Sequence, residues 1–276
     1  SVVKLLAFLT VGAFVVWGLF PLYWRLLAQV PSMQIIAHRI VWSALLVAGW
    51  LGATQGLRWW RALAARPRVL PTLALTSVLI AFNWGLYIWA VNAGHVVETS
   101  LGYFINPLIN VVLGVLVLRE RLSPAQWIAV AFALAGVAWL TLQAGSPPWI
   151  ALGLAFSFGL YGLVRKLVAA DAVAGLGVES IYLFMPALAY VLWGEFGHGG
   201  GFIDGFGWKT DLLLILGGVV SAVPLIGFAY GVRRIPLSVV GLMQYIAPTL
   251  QLLLGVWFFH EPFDAARALG FGAIWL

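Results

Sequence analysis

The sequence predicts an all-α integral membrane protein: ten transmembrane helices in two inverted five-helix repeats. Three observations lead there. Hydrophobic residues make up 63% of the chain and charged residues 9%, where a soluble domain carries about 45–50% and about 25%. Apolar stretches near the roughly 20 residues needed to cross a bilayer follow one another from end to end. One part of the chain repeats another at a fixed offset.

The elements follow in order. Apolar spans run over 3–27, 32–53, 71–93, 98–118, 124–143, 149–168, 175–194, 211–232, 236–259 and 265–276. Helix is the form that satisfies its own backbone in lipid, which an open strand cannot do. The first span is too long and too aromatic for a cleaved signal peptide. The 54–70 loop contains Arg58-Trp59-Trp60-Arg61, an expected short amphipathic segment on the inner leaflet. Gln143 to Pro148 form a turn between the halves. The run 194–207, with Gly199-Gly200-Gly201, follows no strand and opens no helix, so it reads as a surface loop and not a nucleotide fingerprint. The last span has only twelve residues. The repeat maps 124–143 onto 265–284, so this span is expected to continue. The start, Ser1-Val2-Val3-Lys4, lacks a Met and is expected to be trimmed.

The repetition is specific in its spacing. Pro107, Gly114, Val115 and Glu120 recur as Pro248, Gly255, Val256 and Glu261, 141 positions later. Gly12, Gly18, Leu19, Leu22 and Leu26 recur at the same offset as Gly153, Gly159, Leu160, Leu163 and Leu167. The expected units are 1–143 and 148–276, the second with its last helix cut short. Basic residues give the orientation. Lys4, Arg58, Arg61, Arg66, Arg68, Arg119, Arg121, Arg165, Lys166, Arg233 and Arg234 fall at one set of span ends. Arg25, Lys209 and Arg267 fall at the other, and Arg39 lies within a span. Positive residues stay in the cytoplasm, so both termini are expected inside. An odd number of spans per unit inverts the second unit. Inverted repeats place a site at the midplane between halves that rock about it.

Several classes are excluded. The chain has no cysteine, hence no disulfide framework and no thiolate metal site. No Gly-Lys-Ser/Thr phosphate loop occurs. The charge of +6 is spread over short loops, not clustered as a nucleic-acid footprint. No catalytic cluster, His pair at ligand spacing or filter sequence is present. No enzyme activity, cofactor, metal or ATPase subunit is expected. The expected partners are a small-molecule substrate and the bilayer.

Polar residues inside spans face the bundle interior or a watery cavity. The candidates for substrate contact are Trp17, His38, Asn83, Trp84, Tyr87, Tyr103, Asn106, Tyr161, Gln244 and Tyr245. Amides offer donors and acceptors, and aromatic faces hold rings or ammonium groups. The bland alternative is that the amides bond helix to helix and the tyrosines simply pack. Pro107 and Pro248 sit near the middle of related spans and are candidate hinges, or inherited bends. Arg39 either snorkels outward or faces the cavity, where it would attract a carboxylate, with Glu98 as an expected partner at comparable depth. The acidic residues Glu98, Glu120, Glu179, Glu195 and Glu261 are all expected toward span ends. His38 is then the candidate for proton coupling, with facilitated export as the alternative.

Ser100-Leu101-Gly102-Tyr103-Phe104-Ile105-Asn106-Pro107-Leu108 resembles a signature of RarD-type proteins in the drug/metabolite transporter (DMT) superfamily. So do Ala151 through Phe158 with Tyr161 through Lys166, His38-Arg39 with Val41-Trp42-Ser43, and Asn83-Trp84 with Trp89 through Asn92. Gln244-Tyr245-Ile246 with Pro248-Thr249-Leu250 completes the set. The resemblance covers the whole chain. It implies two inverted five-helix EamA-type repeats in a bacterial inner (plasma) membrane and export of small metabolites. The aromatic amino acid exporters called YddG are a close comparison, so amino acids, aromatic ones included, are the expected substrates. Cationic amphiphilic drugs or a non-transport scaffold role are the alternatives.

Overall fold

The computed structural model describes residues 2–119, 121, 123–168, 172–197, 200–203, 205–232 and 246–275. All regular structure among them is helical. Helices α1 (Val2–Arg25) and α2 (Ser32–Gln55) are followed by a short α3 (Arg58–Ala64). Then come α4 (Val69–Asn92), α5 (Val96–Leu118), α6 (Pro124–Ala144) and α7 (Trp149–Leu167). The order continues with α8 (Ala172–Glu195), α9 (Trp208–Val232), α10 (Ile246–Leu253), a π-helical segment (Leu254–Phe258) and α11 (Ala265–Trp275).

The apolar periodicity makes the helices and the punctuation ends them. Gly56 closes α2 at φ +59°, a conformation a Cβ would penalise, and its N–H bonds to the Gly52 carbonyl. The prolines at 147 and 148 precede α7, where their missing N–H groups cost nothing. The Arg58-Trp59-Trp60-Arg61 segment is helix α3, burying Trp59 and Leu63. Five helical stretches among the described residues are long and apolar enough to cross a membrane: Val2–Arg25, Ser32–Gln55, Val69–Asn92, Ala174–Glu195 and Trp208–Gly227. The outer surface of the bundle is apolar too, with Phe8, Val78, Phe82, Leu116, Leu134 and Met185 exposed. Such a surface is stable against hydrocarbon and not against water. The protein is a multi-pass membrane protein.

The packing has a regular plan. Helix α2 packs on α8, α1 on α9, α7 on α4, and α6 on α11. Helix α5 lies against α7, and α10 lies against both α1 and α5. Gln34 lies against Gly194, and Leu51 against Gly177, so α2 and α8 run antiparallel. Two non-glycine residues that share φ +53°, Arg119 and His260, stand 141 positions apart, at the turns after α5 and after the π-helical segment.

Two close approaches fix the centre. At Gly218 of α9 a Cβ would stand 2.8 Å from the Ser43 amide nitrogen, so only glycine lets α9 touch the α2 backbone. At Gly255 a Cβ would stand 2.7 Å from Val97 Cγ2 and 3.0 Å from Glu261 Oε2. That contact lets the Glu261 carboxylate accept from the amides of Val96 and Val97, the latter at 2.8 Å, at the start of α5. A carboxylate there meets the orphan donors and positive pole of the helix. Burial pushes the Glu261 carboxyl above its usual range, against the pull of those two amides.

Candidate functional site

A pocket lies between α2, α4, α8 and α9. Ile40, Ser43 and Val47 come from α2, Ile80 and Trp84 from α4, Leu176, Glu179, Ser180 and Leu183 from α8, and Ala222 and Leu225 from α9. Its wall is mostly aliphatic, with Trp84 and Glu179 as its aromatic and acidic groups. Its volume is about 10 Å³, room for about one water molecule.

Two polar clusters flank this pocket. The first is built on Arg39, the eighth residue of α2 and only 4% exposed. Its Nε donates to Ser221 Oγ of α9 at 2.7 Å. Its guanidinium carbon stands 4.1 Å from the Trp84 ring centre, 5.1 Å from Trp24 and 5.4 Å from Phe20. The planar cation is thus held between aromatic faces, where its charge meets the negative face of each ring. Tyr87 and Tyr103 complete the surround, within electrostatic reach of Arg39, with their own rings 6.0 Å apart and edge to face. Among the described residues, Arg39 Nη1 and the Tyr87 hydroxyl are buried without a hydrogen-bond partner.

The second cluster is built on Glu179, the eighth residue of α8 and 1% exposed. Arg165 of α7 approaches Oε1 with its Nε at 3.1 Å. The Tyr161 hydroxyl donates to Oε2 at 2.9 Å, and Thr76 of α4 donates to Oε1 at 3.1 Å. A charge taken out of water needs such partners, because desolvation of an unpaired carboxylate is expensive. Glu179, expected toward a span end, is in the first third of α8 and is nonetheless buried. It stands about 10 Å into α8 at the helical rise of 1.5 Å per residue. Both Arg39 and Glu179 are buried in the interior. Glu98 is not the partner of Arg39: its Oε1 accepts from the Ile150 amide at the start of α7.

The expected contact residues divide. Trp84, Tyr87 and Tyr103 gather around Arg39. Tyr161 belongs to the Glu179 cluster. Asn83 turns to α7, donating to the Leu154 carbonyl at 3.1 Å and to Ser157 Oγ at 3.0 Å, which is the helix-to-helix role. His38 points away from Arg39, as a step of about 100° between neighbours requires. Its Nδ1 accepts from Trp42 Nε1 at 3.2 Å, and its ring lies 4.9 Å from Phe202 in the loop before α9. Trp17 packs edge to face on Phe14, and its carbonyl accepts from Gln251. Asn106 Oδ1 is buried and has no hydrogen-bond partner among the described residues. Gln244 and Tyr245 lie outside the described residues, as does the side chain of Pro107. Helix α5 continues through position 107, and the Pro248 carbonyl accepts from Ser100 Oγ at 2.8 Å. Sequence reasoning passed over Glu179 as a core residue. The signal was available: a Glu between Val178 and Ser180 on a helix that also bears Tyr182 and Tyr190.

Comparison with known proteins gives one family. The model of the EamA-like transporter family matches residues 4–142 and again 147–276. The chain is 48% identical over 265 residues to protein RarD of Streptomyces exfoliatus, covering 96% of this chain and 84% of that one. It is 46% identical to the uncharacterized transporter YojE of Bacillus subtilis, over 96% of this chain and 89% of the other. It is 41% identical to protein RarD of Salmonella typhimurium, over 97% and 91%. A solved crystal structure 20% identical in sequence shares the fold, with a TM-score of 0.60 over 98% of this chain and 94% of that one. An apolar helical bundle with a lined interior pocket, matched along its length in this way, is a membrane transporter, and the chain belongs to the EamA-like transporter family of the DMT superfamily.

Proposed function

We propose that the protein is an alternating-access exporter of small metabolites, foremost amino acids including aromatic ones. The observation that carries this reading is the match to the EamA-like transporter family along a bundle whose interior holds Arg39, Ser221 and Trp84 together beside the small apolar pocket. Its apolar wall suits an uncharged or net-neutral molecule with an apolar body.

The reading takes the chain as two five-helix units, 1–143 and 148–276, the second inverted, in a bacterial inner membrane with both termini cytoplasmic. The double match of the family model supports it. So do the paired packing of α1 on α9 and α7 on α4, and the shared backbone conformation of Arg119 and His260. In this scheme Pro107 and Pro248 are the points where α5 and α10 bend as the site changes face. The bond from Ser100 to the Pro248 carbonyl supports that role, because it ties the two helices together beside the bend. Trp84, Tyr87 and Tyr103 line the substrate's path, joined by Asn106, Gln244 and Tyr245.

The test is counterflow in liposomes containing the purified protein. Labelled phenylalanine or tryptophan should exchange with saturation. Exchange of lipophilic cations alone would replace this reading with drug export. Saturable exchange of neither, with a normally folded protein, would leave the scaffold role.

A further inference from the structure

Arg39 is the buried charge that the fold does not neutralise. Among the described residues no carboxylate stands within ion-pair distance of it, and its Nη1 is buried and unpartnered. The cluster around Glu179 shows what neutralisation looks like in this chain. Phe20 and Tyr161, Trp24 and Arg165, His38 and Glu179, and Arg39 and Ser180 each stand 141 positions apart. The place that supplies the counter-ion Arg165 in one cluster supplies the ring of Trp24 in the other. The duplicated frame therefore holds an internal ion pair on one side and a lone cation in an aromatic surround on the other.

A lone cation in a water-poor interior is costly to keep. Its surround is built for a ligand of definite chemistry. The guanidinium fork keeps Nη1 for an oxygen acceptor while Nε is held by Ser221. The unpartnered Tyr87 hydroxyl is a second donor nearby. Phe20, Trp24 and Trp84 supply flat apolar faces. One positive charge balances one negative charge, and a dianionic phosphate would leave excess charge in an apolar surround. We propose that Arg39 takes the carboxylate of the transported molecule, which makes the aromatic surround of Phe20, Trp24, Trp84, Tyr87 and Tyr103 a site for small aryl carboxylates, zwitterionic amino acids included. The proposal rests on the transporter reading above and names the chemical group that reading left open. Trp84 links the two regions, because one ring both stacks on Arg39 and walls the pocket.

The experiment is ligand protection against thermal unfolding of the whole purified protein in detergent. The probes are phenylalanine, phenylacetate, methyl phenylacetate and phenethylamine. Phenylalanine and phenylacetate should protect, and the ester and the amine should not. In Arg39→Gln the half-saturating concentration for both acids should rise about tenfold or more, the scale of a lost charge-assisted bond, and Arg39→Lys should restore part of it. Equal protection by phenylacetate and its methyl ester in the wild type overturns the proposal, as does protection by neither acid. That comparison needs no variant, so it stands even where Arg39→Gln fails to fold. Protection by phenylacetate without phenylalanine keeps the role of Arg39 and overturns the amino-acid reading. Equal protection by phenylalanine and phenethylamine, unchanged in Arg39→Gln, overturns the role of Arg39 and leaves amino-acid export standing.

Discussion

The Arg39 and Glu179 clusters stand one position out of register on antiparallel helices and solve opposite problems. Each charge is the eighth residue of its helix, on α2 and α8. Each reaches a neighbouring helix one step earlier in the chain, α1 or α7, and a third from the other half, α9 or α4. Glu179 is closed: one ion pair and two hydroxyl donors saturate its oxygens. Arg39 is open: one hydroxyl bond and three ring faces leave a nitrogen to spare. The difference teaches that one interior can neutralise one buried charge with an ion pair and surround another, among the described residues, with a hydroxyl and ring faces. Both the charge and its partner differ across the offset: His38 stands where Glu179 does, Arg39 where Ser180 does, and Trp24 where Arg165 does.

The comparison breaks most directly at Arg165. Arg165→Met should cost about 3–5 kcal/mol, because it leaves a buried carboxylate without its counter-ion. Adding Glu179→Gln should return a large part of that loss, and strict additivity of the two changes would dissolve the ion pair. Arg39→Met should cost far less, since Ser221 keeps its bond to the Gly217 carbonyl and no group is orphaned. Chemical denaturation in micelles reads all of these. Equal losses for Arg39→Met and Arg165→Met would erase the distinction between open and closed sites.

A second measurement sharpens the geometry on the Arg39 side. Gly218→Ala should destabilise by about 1–3 kcal/mol through overpacking, because its Cβ would press on the backbone at Trp42 and Ser43. Gly217→Ala is the control, with its nearest neighbour, Trp24, at an ordinary 3.4 Å. Because Gly218 sets the distance between α9 and α2, its variant should also loosen the bond from Arg39 to Ser221. If both alanines are tolerated alike, the helices approach by another route.

The smallest effect tests how fully Glu179 is clamped. Tyr161→Phe removes one of its donors and should cost about 1 kcal/mol, with Arg165 and Thr76 still in place. A loss as large as that of Arg165→Met would make the tyrosine, not the arginine, the main partner.

Much of the bundle was legible beforehand because lipid leaves a chain few choices. The expected span 32–53 appears as Ser32–Gln55, 71–93 as Val69–Asn92, and the Arg58-Trp59-Trp60-Arg61 segment as Arg58–Ala64. Apolar length and helical self-bonding set these elements without reference to any neighbour. Of the ten residues named for substrate contact, Trp84, Tyr87 and Tyr103 gather around Arg39. Asn83 was named with them and instead bonds α7. Glu179 was passed over, because distance along a span is a poor guide to burial when a helix end is itself covered by neighbours.

What the sequence determined by itself is the solvent, the helical form and the 141-residue repeat, since each is a property of local composition or of the chain compared with itself. What only the tertiary structure decided is which charge is paired. Arg39 and Glu98 looked like natural partners at similar depth, yet Glu98 caps α7 and Arg39 lies among rings. Depth is one coordinate, and pairing needs the other two. Those come from the rotation of each helix about its axis and from how closely neighbours approach, which depends on contacts such as Gly218 against Trp42 made 175 or more residues apart in the chain.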